Sequence, residues 1–171
     1  MRIMTKLFFD IGNTKIKVAS ISKQDYQYLG SFFIQDFIKQ IDDLLFEAFE
    51  TPDAVFYSSV ASAQVVDQIK SLIQSEWQLF PIRLESQQSC CGLISGYQDF
   101  DKLGVDRWLA MLGAISQTKD PFLVIDCGTA ITVDAVIEGQ HKGGFIVPGL
   151  HTQIKSLSSS TADINDVNLL E

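Results

Sequence analysis

The chain has 171 residues, 46% of them hydrophobic and 20% charged, enough for a real core and well outside the range of disordered proteins. Its formal net charge of −8, with no Lys/Arg-rich run, argues against nucleic acid or an anionic membrane surface as a partner.

The opening "MRIMTKLFFDIG" has too short an apolar run for a signal peptide and is broken by Asp10. Leu7–Phe9, Ile16–Ile21 and Tyr28–Phe33 read as three strands. From Phe33 the period changes: Ile34, Phe37, Ile38, Ile41, Leu44, Leu45, Ala48 and Phe49 predict one amphipathic helix, closed by Thr51-Pro52-Asp53. "AVFYSSV" predicts a buried strand, Val65 to Trp77 a helix, and "QLFPIRL" a strand near an edge, because it carries Pro81. Gln87 to Gly96 reads as a polar loop or hinge. A helix follows from about Val105 to Ser116, then strands at "FLVID" and "AITVDAVI". Glu138-Gly139-Gln140 makes a turn, and "GGFIVPG" leads into a last helix whose tail from Ser156 is polar. No stretch approaches the roughly 18 apolar residues of a membrane span. Cys90, Cys91 and Cys127 lack the spacing of a zinc site or a disulfide framework, so reduced, mostly buried thiols of a cytoplasmic protein are expected. The order of elements predicts an α/β fold with mixed sheets, in two halves meeting near residue 100.

Two segments echo each other. When "FFDIGNTKIKVASI" is aligned with "VIDCGTAITVDAVI" and one gap is allowed, Asp10 falls on Asp126, Gly12 on Gly128 and Thr14 on Thr129. Ile16 then falls on Ile131, and Val18 on Val133. Each copy is an apolar strand, Asp-x-Gly, Thr and another strand, as expected of two lobes built on one plan. Glycine lets a ligand approach backbone N–H groups, which in a turn form an anion-binding nest, and a threonine hydroxyl adds a donor. The aspartates cannot bind phosphate, but they can hold a cation that does. Turn-favouring residues alone would explain either copy. The recurrence favours a phosphate clamp.

"LGVDRW" puts Asp106 and Arg107 in the first turn of a helix. There an aspartate stabilises the helix dipole by about 0.3–1 kcal/mol, and Arg107 has the simple reading of a partner for a surface acid. A phosphoryl-transfer enzyme also needs a carboxylate to take a hydroxyl proton and a cation to hold the acceptor. Gly143 and Gly144 either bend a strand or admit a ligand. His141 and His151 share no ligand spacing and read as surface or loop residues, and Tyr97 as a half-buried aromatic.

"DIGNTKIK", Tyr97 followed by "LGVDRW", "DCGTAITVD" and "GGFIVPG" together resemble the type III pantothenate kinases, in that family's order and spacing. The resemblance implies a two-lobed actin/Hsp70/sugar-kinase-like (ribonuclease H-like) fold, with an N-terminal lobe over 1–103 and a second, incomplete lobe over 104–171. It implies ATP-dependent phosphorylation of pantothenate, the first step of coenzyme A synthesis, by a homodimer that uses Mg2+ (or another divalent ion) and K+ or NH4+. By position, Asp10, Ile11, Gly12, Asn13, Thr14, Lys15, Ile16 and Lys17 match the first ATP-binding turn, and Thr129 matches another ATP contact. Asp126 matches the ligand of the monovalent cation. Asp106 matches the proton acceptor, and Tyr97, Gly104, Val105 and Arg107 surround the substrate. The chain departs from the family pattern at Ser95 and Phe100, and again at Ile164-Asn165 after Ala162. Its end at Glu171 implies a fragment or a shortened member, without the family's adenosine-seating part and substrate-contacting threonine. A non-catalytic nucleotide-binding or regulatory protein, or a related small-molecule kinase, stands beside this reading.

Overall fold

Leu7, Phe9 and Ile11 alternate with less buried neighbours, so the first strand buries one face, and Ile16 and Val18 of the next strand bury the same face opposite them. The structure, a computed structural model, describes residues 4–160 apart from Gln24 and Ala48. Ala162 and Ile164-Asn165 lie outside the described residues. The chain divides into two compact units: residues up to Ser86 with Gly104–Asp106, and Gln87–Leu103 with Arg107 onward.

In the first unit β1 (Thr5–Ile11), β2 (Lys15–Ser22) and β3 (Asp25–Phe33) form an antiparallel meander. β4 (Ala54–Ser59) adds parallel to β1, and β5 (Ile82–Arg83) parallel to β4 at the sheet edge, giving the order β3-β2-β1-β4-β5. Pro81 stands just before β5, and the edge is where a residue without an N–H is tolerated. α1 (Ile34–Ile41) and α2 (Ala63–Trp77) carry Phe37, Ile41, Ile69, Ile73 and Trp77 into the core against Leu7, Phe9, Ile16 and Val18. Each such side chain contributes about 1.5–3 kcal/mol on burial. The helix expected to run to Phe49 stays α-helical only to Ile41, then widens into a π turn over Asp42–Phe46. The wider turn keeps Leu45 buried while Asp42 and Asp43 both face water.

The second unit holds β6 (Ser89–Cys90), β7 (Leu93–Ile94), β8 (Phe122–Cys127), β9 (Ala130–Ile137) and β10 (Gln140–Pro148), in the order β6-β7-β10-β9-β8. The pairs are antiparallel except β7–β10. The short β6–β7 hairpin lies within the segment expected to be a loop. The run leading to the last helix is a full nine-residue strand. α3 (Val105–Gln117) packs Trp108, Met111 and Ile115 against Val136, with Phe122 and Val124 beside them. The opposite face of the same sheet carries Leu123, Ile125 and Phe145, 64%, 59% and 56% exposed, together with Val147. α4 (Leu150–Ser160) closes the described chain. No helix among the described residues is long and apolar enough to cross a membrane.

Two expectations fail here. The thiols are not mostly buried: Cys91 sits in a turn and Cys127 on the open end of β8, both exposed, and Cys90 is half-buried. His141 is not a surface histidine. A bulge between His141 and Gly143 resets the strand alternation, and the His141 ring is buried.

Candidate functional site

The two echoed segments fold as hairpins with the same register. Ile11 pairs with Ile16 and Asp10 with Lys17; Cys127 pairs with Ile131 and Asp126 with Thr132. Each ladder closes with a glycine N–H donating to the carbonyl just before that isoleucine: Gly12 to Lys15 and Gly128 to Ala130, both 2.9 Å. The one-residue gap in the alignment is a turn one residue shorter. The amide of each glycine is therefore spent on the hairpin, and the donors left for a ligand lie further round the turn.

In the first unit Asn13, Thr14 and Lys15 are exposed at that turn. Thr14 accepts the Ile34 N–H through its carbonyl (3.2 Å), and Lys15 lies 4.9 Å from the centroid of the Phe33 ring, so the turn is tied to the start of α1. Asn13 and Thr14 line a hollow of about 440 Å³ with Phe33, Ile34, Gln35, Asp36 and Val65. Asp10 accepts the Ser58 hydroxyl at 3.1 Å and stands 3.6 Å from the Lys17 ammonium. That pair is 42% and 55% exposed, so it orients the carboxylate and adds little stability.

In the second unit α4 pins the other turn. The Thr129 carbonyl accepts the Gly149 N–H at 2.8 Å and the Thr152 hydroxyl at 3.0 Å. A Cβ on Gly149 would stand 2.7 Å from that same carbonyl oxygen, which only glycine avoids. Asp126 is exposed, and no group of three or more His, Cys, Asp or Glu side chains among the described residues forms a metal cage. A lone accessible carboxylate suits a hard cation whose other ligands are water and phosphate oxygens.

The same unit holds a buried polar network. Arg107 donates through Nε (2.8 Å) and Nη2 to the two Asp134 oxygens, a bidentate pair with side chains 6% and 2% exposed. Its Nη1 donates to the Tyr97 hydroxyl at 3.3 Å. His141 Nε2 meets Asp134 Oδ1 at 2.8 Å, while its buried Nδ1 has no hydrogen-bond partner among the described residues. The Tyr97 and His141 rings stack at 5.9 Å and 8°. The Asp134 hydrogen bonds raise the Arg107 pKa above its already high ordinary value, against the opposing pull of desolvation, so the guanidinium is a fixed cation at any working pH. Gly144 makes room for the pair: a Cβ there would stand 2.5 Å from Asp134 Oδ1 and 2.8 Å from Arg107 Nη2.

The structure thus brings Tyr97 and Arg107 together in the second unit, which also carries Asp126 and Thr129. Asp10–Lys17 share one turn of the first, with which Gly104–Asp106 group. Arg107 pairs with an internal acid, not a surface one. Asp134 and His141 were missed from sequence. The available signal was an aspartate inside "AITVDAVI", where a buried charge requires a partner.

The family model for type III pantothenate kinase matches residues 6–171. A type III pantothenate kinase of Hydrogenovibrio crunogenus is 45% identical over 161 residues, covering 91% of this chain and 63% of that protein. One from Nitrosococcus oceani is 32% identical over 168 residues, covering 94% and 63%. The chain therefore spans somewhat less than two thirds of these relatives' length. Among solved structures, a Baf family protein from Campylobacter jejuni aligns with a TM-score of 0.55 at 24% identity, covering 94% of this chain and 63% of that one. The ethanolamine utilization protein EutJ from Carboxydothermus hydrogenoformans aligns at 0.50 and 12%, covering 94% and 58%. These likenesses concern the fold, which is mixed α/β with two mixed sheets. From the hairpins to the last helix, the chain belongs to the type III pantothenate kinase family.

Proposed function

We propose that the chain takes part in ATP-dependent phosphorylation of pantothenate to 4′-phosphopantothenate, as a cytoplasmic homodimer. The observation that carries this reading is the repeated hairpin, with Asp10 and Asp126 on the same rung, in a chain of a family named for that reaction. Donors around the first turn, from Asn13 to Lys15, hold phosphate oxygens, and the Thr129 hydroxyl adds another. Lys17 keeps the Asp10 carboxylate aimed. Asp106 takes the proton from the pantothenate hydroxyl as it attacks the γ-phosphate. Tyr97, Gly104 and Val105 contact the acceptor, and Arg107, held by Asp134, fixes the Tyr97 hydroxyl. Asp126 would hold the K+ or NH4+ ion, and Mg2+ would accompany ATP; bound, the cations neutralise phosphate charge.

Release of ADP that requires pantothenate, Mg2+ and K+ together tests the reading. Nucleotide binding without any such release would favour the non-catalytic alternative, and release with a different hydroxyl acceptor only would favour a related kinase. Asp126→Asn is expected to weaken nucleotide binding roughly tenfold or more, the worth of one charged contact, and to flatten its dependence on K+. A potassium titration of nucleotide affinity that is unchanged in the variant would remove Asp126 from this role.

A further inference from the structure

The β6–β7 hairpin turns on Cys91 and Gly92, and the site described above uses neither. Both have positive φ, 51° and 89°, the pattern of a two-residue type I′ turn, whose first position asparagine or aspartate usually fills. A cysteine there brings two thiols together: Cys90 Sγ and Cys91 Sγ lie 3.3 Å apart. Cys91 is exposed, and Cys90 packs against the core of the unit.

Geometry limits what this dithiol can hold. A disulfide favours Cα atoms about 4.4–6.8 Å apart, whereas neighbouring residues sit about 3.8 Å apart across a trans peptide. A single bridging atom fits better. With bonds of about 2.3 Å, the length of a metal–thiolate bond, two sulfurs at this separation subtend an angle of about 90° at the bridging atom. That is narrower than the tetrahedral angle zinc prefers. It is the pyramidal angle of a trivalent main-group centre with a lone pair. Among the described residues no group of three or more His, Cys, Asp or Glu offers a fuller shell. A trivalent metalloid needs only two protein sulfurs, because its third bond goes to its own substituent.

We propose that Cys90 and Cys91 form a chelating site for trivalent arsenicals. An organoarsenous acid, R–As(OH)2, reacts with the two thiols to give R–As(S–Cys)2 and two waters. Two As–O bonds break and two As–S bonds form, the thiol protons leave on the departing oxygens, and arsenic stays trivalent throughout, so no oxidant is consumed. Cys91, the exposed thiol, forms the first bond, and Cys90 closes the ring. In the free dithiol the hydrogen bond with the Cys91 thiol pushes the Cys90 pKa up, which leaves Cys91 the readier thiol for the first bond. The site does not depend on the kinase reading.

The test uses the 171-residue chain, phenylarsine oxide as the probe and intact-mass measurement. One phenylarsenic adduct per chain is expected to survive a large excess of 2-mercaptoethanol and to be removed by a small dithiol. Cys127→Ser is expected to keep the adduct unchanged. Cys90→Ser and Cys91→Ser, each checked for folding by circular dichroism, are expected to hold it roughly a hundredfold or more weaker, because the second bond is no longer intramolecular. Retention by either of those two variants, loss of the wild-type adduct to the monothiol, or a requirement for Cys127 would overturn the proposal.

Discussion

Asp106→Asn is expected to lower turnover by about 10²–10⁴-fold while leaving nucleotide affinity within a factor of two or three, because a general base contributes on that scale and takes no part in holding phosphate. The substitution is nearly isosteric, so it separates the two roles available to an acid in the first turn of α3. As a dipole partner alone, Asp106 would contribute about 0.3–1 kcal/mol of stability and nothing to the rate. As the proton acceptor, its loss empties the chemical step while the melting temperature barely moves. Steady-state kinetics, nucleotide titration calorimetry and thermal melts on the same samples distinguish the cases. Turnover like that of the unmodified chain would remove Asp106 from the mechanism.

The second large effect concerns stability. Asp134→Ala is expected to cost about 3–5 kcal/mol, because it leaves the Arg107 charge buried without its bidentate partner. His141 loses its Asp134 hydrogen bond in the same change. For a chain of this size the loss corresponds to a fall of roughly 10 °C or more in melting temperature. A double variant, Arg107→Met with Asp134→Leu, should recover much of it, since apolar residues of similar volume often match or exceed a buried ion pair. Denaturation of the three proteins measures both steps. A single-variant loss below about 1 kcal/mol, the worth of an exposed pair, would mean that water reaches the network and that Tyr97 is not held by it.

Much of this was legible in the sequence where period and burial agree. Leu7, Phe9, Ile16 and Val18 announce their strands by alternation, and Ile69, Ile73 and Trp77 their helix by spacing. The Asp-x-Gly-Thr echo proved to be one hairpin register built twice, which a pattern can carry because the ladder is local. The misses have local causes too. Two-residue strands at Ser89–Cys90 and Leu93–Ile94 are too short to show a period, and a Cys-Gly turn is not a usual hairpin signal. His141, flanked by Gln140 and Lys142, looks solvated until the bulge after it is known. Asp134 and Arg107 are 27 residues apart, and only the packing of α3 on β9 makes them partners.

The outward side of the second sheet has a consequence for handling the protein. Leu123, Ile125, Phe145 and Val147 present hydrocarbon to water across β8 and β10, and such patches adhere to one another when nothing holds them apart. The surplus of negative charge opposes that adhesion, and it vanishes as the pH approaches the isoelectric point near 4.6. A solution of the chain is thus expected to scatter more light as the pH is lowered toward that value, because the repulsion comes from carboxylates elsewhere on the chain.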